Sequence, residues 1–326
     1  MGRTPDGLPA SGALMKVISA NEVNGSLSYP ALIDTIEQAF AGPFTMPPRT
    51  VFPLDEHASG HEAFALLPAW TDRFIGVKAF TYFPDNPAPD YRSLYSKILL
   101  FERAHGIPLA LVDGTSVTYW RTAAVSALAS RFLSRDDSKT LLLVGTGNLA
   151  PYLVAAHASV RPLEQVLVWG RDSSKADSLV HRLCARHPDL QVQVAPSVET
   201  ACQRADIVVC ATGSPEPLVE GAWIREGSHT DFIGNHHATK RECDTALVLR
   251  SRVYVDSREN CLREAGEILV PIAEGVFSED RIAGQLADLC AGNAPLREDP
   301  KEITLFKSVG SALSDLVAAG LAYDAS

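Results

Sequence analysis

The chain has 326 residues, 46% apolar and 21% charged, which is the composition of a globular protein with room for two domains. Its formal net charge of −10 argues against a nucleic-acid-binding protein, because no basic stripe offsets the acidity. No apolar run approaches the roughly 18 residues that a membrane-spanning helix requires, so we expect no membrane partner.

The first part of the chain has a mixed α+β pattern. Residues 1–14, rich in Gly, Pro and Ser, are expected to form a flexible leader. A helix is predicted over Tyr29–Ala41 and another from about Thr118. Strands are predicted at Phe64–Ala69, Phe74–Phe83, Ser96–Glu102 and Pro108–Asp113. We interpret residues 15–130, together with 304–326, as a substrate-binding and dimerisation domain.

From residue 138 onward, short β-rich runs alternate with amphipathic helical stretches. These runs are Thr140–Val144, Gln165–Trp169, Gln191–Val194, Asp206–Ala211, His229–Ile233 and Arg252–Asp256. Runs of this length and spacing predict βαβ units and a buried parallel sheet. The predicted fold class is therefore α/β, with a doubly wound Rossmann domain over residues 131–303. A closing helix is predicted over Thr304–Ala319.

All six cysteines fall in the second half of the chain, mostly within apolar segments. They are Cys184, Cys202, Cys210, Cys243, Cys261 and Cys290. No pair forms a Cys-x-x-Cys motif, so free thiols in a reduced, cytoplasmic protein fit the sequence better than disulfides or a metal site.

The most informative segment joins the first of these β-rich runs to the helical stretch after it. It reads Gly145, Thr146, Gly147, Asn148, Leu149 and Ala150. In this G-x-G-x-x-A motif, Gly145 permits a tight turn and Gly147 lets a pyrophosphate approach the backbone. Ala150 is small enough for the helix to pack on the strand. The alternative, a purely structural turn, is weaker because the preceding strand, the following helix and the later repeats agree.

Two further turns are candidate cofactor contacts. The tip of the second strand carries Arg171, Asp172, Ser173 and Lys175. An acid there binds the ribose of NAD, whereas an arginine accommodates the 2′-phosphate of NADP, so this tip favours NADP(H) over NAD(H). The alternative is a solvated loop tip. The turn after the fourth strand, expected near the ribose or nicotinamide, contains Ala211, Thr212, Gly213 and Ser214.

Three cations of the first domain stand in contexts that point to an anionic substrate. Lys78 lies inside an apolar strand, Arg121 opens an Ala-rich helix, and Arg49 follows two prolines. A buried cation is costly unless an anion pairs with it, and a bound carboxylate is a suitable anion. Taken singly, each is more often a surface or ion-paired residue.

Seven motifs together resemble the ornithine cyclodeaminase/mu-crystallin family from about residue 15 onward. They are Pro48-Arg49, Gly76-Val77-Lys78, residues 118–124, Gly145-Thr146-Gly147, Ile233-Gly234, Lys240-Arg241-Glu242 and residues 305–310. The resemblance implies that Arg49, Lys78 and Arg121 hold or polarise an amino or imino acid beside the nicotinamide. It also implies a homodimer formed through the first domain.

The chain departs from the cyclodeaminases of this family at one position. They carry an Asp shortly after the Ile-Gly pair, where this chain has His236 nearest. Without that carboxylate, ring closure of a diamino acid lacks its expected base. Ketimine and pyrroline-carboxylate reductases of the family also lack it, which favours imine reduction. The alternative for His236 is a solvated loop residue.

The sequence therefore predicts an oxidoreductase of amino-acid metabolism that transfers hydride between NADP(H) and C2 of a small cyclic imino acid. Arg49 and Arg121 are expected to clamp the substrate carboxylate, and Lys78 to bind it or donate a proton. His236 is a second acid–base candidate. One alternative is an ornithine cyclodeaminase or L-alanine dehydrogenase. Another, from a different class, is a non-catalytic dinucleotide-binding protein of mu-crystallin type.

Overall fold

The computed structural model describes residues 14–54, 62–83, 86 and 91–326. The predicted leader, residues 1–14, lies outside the described residues except for Leu14. The chain divides into two compact units. The first unit runs up to Thr122 and includes Ser311–Ser326, and the second is Ala123–Gly310.

The elements follow one another in a simple order along each unit. The first unit contains β1 (Lys16–Ile18), α1 (Ala20–Ser26), α2 (Tyr29–Ala41), β2 (Thr50–Pro53), β3 (Ala63–Trp70), β4 (Phe74–Tyr82), β5 (Leu94–Glu102) and β6 (Pro108–Asp113). Helix α3 (Gly114–Leu133) leads into the second unit. That unit contains β7 (Thr140–Val144), α4 (Ala150–Ala158), β8 (Gln165–Trp169), α5 (Ser173–Arg186), β9 (Gln191–Val194), α6 (Val198–Cys202), β10 (Ile207–Cys210), β11 (His229–Phe232), α7 (Thr245–Arg250), β12 (Ser251–Val255), α8 (Arg258–Glu264), α9 (Gly266–Ala273), β13 (Ile282–Gln285), α10 (Leu286–Cys290) and β14 (Ile303–Lys307). Helix α11 (Ala312–Asp324) returns to the first unit.

The first unit is built on a six-stranded mixed sheet in the order β1-β6-β5-β4-β3-β2. Strand β1 pairs with β6 in parallel, and the other neighbours are antiparallel. Helices α2 and α11 contact each other, and α11 also contacts β3, β4 and β5. Because α11 is buried along most of its length, even polar residues of this helix are enclosed by the first unit.

The second unit contains an eight-stranded parallel sheet in the order β13-β12-β14-β11-β10-β7-β8-β9. The predicted α/β Rossmann fold is confirmed, and each of the six predicted runs contains a strand. Strand order reverses between β7 and β10, and ligands of doubly wound sheets bind at such a switch point, beyond the carboxyl ends of the strands. Two further strands, β13 and β14, were not predicted from the sequence.

The helix predicted over Thr304–Ala319 was wrong in its first part. Ile303–Lys307 forms strand β14, which pairs with β11 on one side and β12 on the other. The helix begins only at Ala312, after the N-cap Ser311. All five residues of β14 are buried, so the strand lacks the alternating pattern of a half-buried strand. Without that alternation, the four-residue spacing of Leu305 and Val309 fits a helix as well as it fits a buried strand.

Candidate active site

The turn between β7 and α4 requires glycine at its first position. Gly145 has φ +124°, and a Cβ there would lie 2.6 Å from the carbonyl oxygen of Ala211. The Gly145 N–H donates to the carbonyl of Trp169 over 2.9 Å. These contacts hold the turn directly between the ends of strands β8 and β10.

The next part of the turn is open, as a phosphate-binding loop requires. No atom lies within 4 Å of the Cβ that a side chain at Gly147 would add, and Gly147 and Asn148 are exposed. Ala150 is 2% exposed and begins helix α4, whose first turn contains Pro151. Exposed backbone, free space and a helix N-terminus fit the pyrophosphate of a dinucleotide.

The tip of β8 lies beside this turn. A Cβ at Gly170 would approach the methyl group of Thr146 to 2.5 Å, and Arg171 follows as an exposed side chain. Asp172 caps helix α5 by accepting hydrogen bonds from the backbone N–H groups of Ser174 and Lys175 at 3.0 and 3.3 Å. The hydroxyl of Ser174 also donates to Asp172 and holds the pKa of that carboxyl below its usual range. The local role of Asp172 leaves the arginine as the distinctive side chain of the tip.

The loops after β10 and β11 form another part of the same sheet edge. Loop Ala211–Ser214 follows β10, and its first residue contacts the Gly145 turn. Asn235, in the loop after β11, is 5% exposed and donates its side-chain N–H to the carbonyl of Ser214 over 2.6 Å. His236 beside it is exposed. The predicted cofactor residues therefore lie in the loops, or in the first turns of helices α4 and α5, that follow the carboxyl ends of β7, β8 and β10.

In the first unit, two of the three predicted cations share one carboxylate. Lys78 on β4 is 4% exposed, and its Nζ donates to Thr118 Oγ1 at 2.6 Å and to Asp315 Oδ1 at 3.2 Å. Arg121 on α3 is 8% exposed, and its Nε donates to the same oxygen of Asp315 at 2.9 Å. The half-buried Arg49 lies close enough for its charge to act on Lys78.

This arrangement lowers the pKa of Lys78 to about 8. Burial is the largest cause, because it disfavours the charged ammonium. The carboxylate of Asp315 opposes this shift, while the positive charges of Arg121 and Arg49 add to it. Lys78 is therefore mostly protonated at neutral pH and still able to release a proton in a mildly alkaline range.

Asp315 is a site residue that the sequence analysis missed. It lies on α11, 1% exposed, among apolar and small residues. An acid on the buried face of a helix is costly unless a cation pairs with it. An acidic residue within an apolar helix was therefore the feature of the sequence that could have identified Asp315. Its partners could not be named from sequence, because Lys78 precedes it by 237 residues.

Other features of the described residues bear on the classes considered from sequence. All six cysteines are free thiols. Across residues 14–54, 62–83, 86 and 91–326, no three His, Cys, Asp or Glu side chains are grouped as metal ligands. No helix within those ranges is both long and apolar enough to cross a membrane.

Comparison with known proteins gives matches over nearly the whole chain. The sequence profile of the ornithine cyclodeaminase/mu-crystallin family matches residues 14–326. A Delta(1)-pyrroline-2-carboxylate reductase of Colwellia psychrerythraea is 52% identical over 307 residues, which are 94% of this chain and 97% of that protein.

Solved structures also match nearly the whole chain. The Delta(1)-pyrroline-2-carboxylate reductase of Thermococcus litoralis, in complex with NADH and L-proline, matches with a TM-score of 0.89 and 33% identity. The match covers 95% of this chain and 97% of that one. An archaeal alanine dehydrogenase dimer with bound NAD matches with a TM-score of 0.88 and 26% identity, covering 95% of each chain.

The two glycines of the turn are expected to respond differently to alanine. Gly147→Ala should fold like the parent protein, because its Cβ enters open space, but should bind the dinucleotide about tenfold more weakly, since that space is needed by the phosphates. Gly145→Ala should lower the melting temperature, because φ is positive and the Cβ meets a carbonyl. Thermal unfolding and NADPH fluorescence titration measure the two effects. Parental cofactor affinity in Gly147→Ala would contradict the assignment.

Proposed function

The chain belongs to the ornithine cyclodeaminase/mu-crystallin family, and we propose that it reduces a small cyclic imino acid with a nicotinamide cofactor. The proposed substrate is Δ1-pyrroline-2-carboxylate or a similar ketimine, and the product is the corresponding proline-like amino acid. The names of the Colwellia and Thermococcus relatives support this substrate class. His236, in place of the acid that cyclodeaminases use, favours reduction over ring closure.

The observation that carries the proposal is the imbalance of buried charge in the first unit. Two buried cations, Lys78 and Arg121, share the single carboxylate of Asp315. A region enclosed by protein with excess positive charge favours an anion of small size. A substrate carboxylate supplies that anion, and the planar fork of an arginine matches its two oxygens.

The residues then divide the chemistry between binding and proton transfer. Arg49 and Arg121 hold the substrate carboxylate and so orient the ring. Lys78 donates a proton from Nζ to the imine nitrogen as the carbon–nitrogen double bond becomes single. When bound, the reduced nicotinamide supplies the hydride that C2 receives. The carboxylate of Asp315 favours the protonated form of Lys78. Asp315 and Thr118 together hold the Lys78 Nζ in place through hydrogen bonds.

We further propose that NADP(H) is preferred to NAD(H). Gly145–Ala150 holds the pyrophosphate, and Arg171, Ser173 and Lys175 provide donors and charge for a 2′-phosphate. Arg171 is exposed just after β8, and Ser173 and Lys175 are exposed in the first turn of α5, whereas Asp172 is engaged as the cap of that helix. The capping role disfavours Asp172 as a ribose ligand and supports the phosphate-binding alternative.

A homodimer formed through the first unit is also proposed. Strand β2 at the sheet edge is exposed throughout, and Val51, Phe52 and Leu54 are 51%, 46% and 51% exposed. An apolar edge strand is prone to non-specific pairing unless another surface covers it. A second copy of the chain would cover it in a symmetric assembly. Sedimentation equilibrium should give twice the chain mass, and a single-chain mass at micromolar concentration would disprove the dimer.

The assay that tests the reaction offers Δ1-pyrroline-2-carboxylate and Δ1-piperideine-2-carboxylate with NADPH or NADH. We expect the cofactor to be oxidised, and kcat/KM for the imino acid to fall as pH rises above about 8, because Lys78 then loses its proton. Asp315→Asn should move this decline to lower pH, since the carboxylate raises the pKa of Lys78. Lys78→Ala should lower kcat/KM about a hundredfold or more.

Lys97→Ala is the matched control, because this lysine lies on the neighbouring strand β5 with a side chain 55% exposed. It should retain parental kcat/KM. Ammonia and proline from ornithine would instead identify a cyclodeaminase, and oxidation of alanine an alanine dehydrogenase. A cofactor that binds but is never oxidised would identify a non-catalytic binding protein. Each of these outcomes, without imine reduction, would overturn the proposed reaction.

The cofactor preference has its own test. Arg171→Ala should weaken NADPH binding about tenfold and leave NADH binding unchanged, because only NADPH carries the 2′-phosphate. Arg182→Ala, which removes an exposed arginine inside helix α5, should alter neither affinity. Equal weakening of both cofactors by Arg171→Ala, or no weakening, would contradict the assignment.

A further inference from the structure

A buried carboxylate joins the two loops at the cofactor edge of the second unit. Glu242 is fully buried, and its Oε1 accepts hydrogen bonds from the backbone N–H and the hydroxyl of Thr212 at 2.6 and 2.8 Å. Its Oε2 accepts the backbone N–H of Gly234 at 2.7 Å. One side chain therefore binds the loop after β10 through one oxygen and the loop after β11 through the other.

The two loops lie in direct contact at this point. A Cβ at Gly234 would lie 2.1 Å from the carbonyl oxygen of Thr212, so only glycine allows the approach. Ala211 also contacts the Gly145 turn, so the first loop packs against the candidate pyrophosphate-binding turn. The position of Glu242 thus bears on a large part of the candidate dinucleotide site.

Glu242 is itself held by a set of buried groups, which we call the loop-support network: Glu242, Glu267, Lys307 and Asn235. Glu267 Oε1 accepts the Glu242 N–H at 2.9 Å, and its Oε2 lies 2.9 Å from Lys307 Nζ. Lys307 Nζ also donates to the Asn235 carbonyl at 2.7 Å. The Asn235 side chain donates to the carbonyl of Ser214, so the network also contacts the loop after β10.

The charges of the network require these contacts. Glu242, Glu267 and Lys307 are all fully buried, so each charge is stabilised by its neighbours and not by water. Burial raises the pKa of Glu242, while the Lys307 ammonium and the Thr212 donors oppose that shift. The carboxylate form accepts all three hydrogen bonds of the loops most strongly, because both oxygens carry negative charge and no proton competes with the donors. Contacts to both loops are therefore coupled to one charge.

We propose that Glu242 is a positioning residue for the dinucleotide cofactor. It holds loops Ala211–Ser214 and Gly234–His236 in the arrangement that binds the nicotinamide–ribose half. This inference rests on the cofactor class in the proposed function, but not on the identity of the imino acid. Cofactor affinity in the absence of any substrate therefore tests it independently of the proposed reaction.

The experiment measures NADPH and NADH dissociation constants of Glu242→Gln by fluorescence titration of the full chain. Glutamine has the same shape but only one acceptor oxygen, so its amide nitrogen must face an N–H donor of one loop. Losing one charge-assisted hydrogen bond and leaving a buried donor unsatisfied should weaken both cofactors about tenfold.

Asp206→Asn is the matched control for general loss of stability. Asp206 is 6% exposed and accepts the backbone N–H groups of Lys139 and Thr140 at 2.9 Å each. It precedes β10, whereas Thr212 follows that strand, so the two carboxylates support opposite edges of one sheet. Asp206→Asn should lower the melting temperature yet keep parental cofactor affinity.

A milder pair of variants covers the case in which Glu242→Gln does not fold. Thr212→Val removes the hydroxyl that donates to Glu242, and Thr212→Ser retains it. The valine variant should bind cofactor a few-fold more weakly than the serine variant. Parental affinity in Glu242→Gln would overturn the proposal, as would equal loss in Asp206→Asn. Identical affinities of the two Thr212 variants would overturn it as well.

Discussion

The ion pairs that Asp315 makes with Lys78 and Arg121 connect three elements of the first unit. Helix α11 brings the carboxylate, strand β4 brings the lysine, and helix α3 brings the arginine. All three side chains are nearly inaccessible to water, so none can lose its partner without leaving a buried charge uncompensated. The same ion pairs therefore hold α11 against the sheet and set the geometry of the candidate substrate site.

The second unit satisfies a similar requirement at the carboxyl edge of its sheet. Parallel strands place all their carboxyl ends on one side, and the reversal of strand order between β7 and β10 leaves room for a ligand there. The turns that gather at this edge are irregular and bring backbone N–H groups out of regular pairing. Glu242 accepts several of these groups and is itself stabilised by Glu267 and Lys307. Hydrogen bonds to a buried carboxylate therefore fix the geometry of loops that have no β-sheet hydrogen bonds.

Much of the candidate cofactor site could be predicted because its signals are local. Gly145, Gly147 and Ala150 follow a buried strand and precede a helix, and each residue type answers a steric need of its own turn. Lys78 and Arg121 were also recognisable, since a cation within an apolar segment is unusual. Strand β14 was misread because a fully buried strand has no alternation, and its apolar spacing matches a helix. Asp315 and Glu242 were not selected as site residues, because their importance lies in partners that are distant in sequence.

The alternation of strands and helices, the glycine turn after β7 and the cations inside apolar segments could be recognised from the chain alone. These features depend on backbone preferences and side-chain periodicity over a few neighbouring residues. Three features came to light only in the folded molecule: β14 enters the sheet between β11 and β12, Asp315 lies against Lys78, and Glu242 spans two loops. Strand order and burial bring together residues as far apart as Lys78 and Asp315, which are separated by 237 positions, and such contacts leave no periodic mark in the chain.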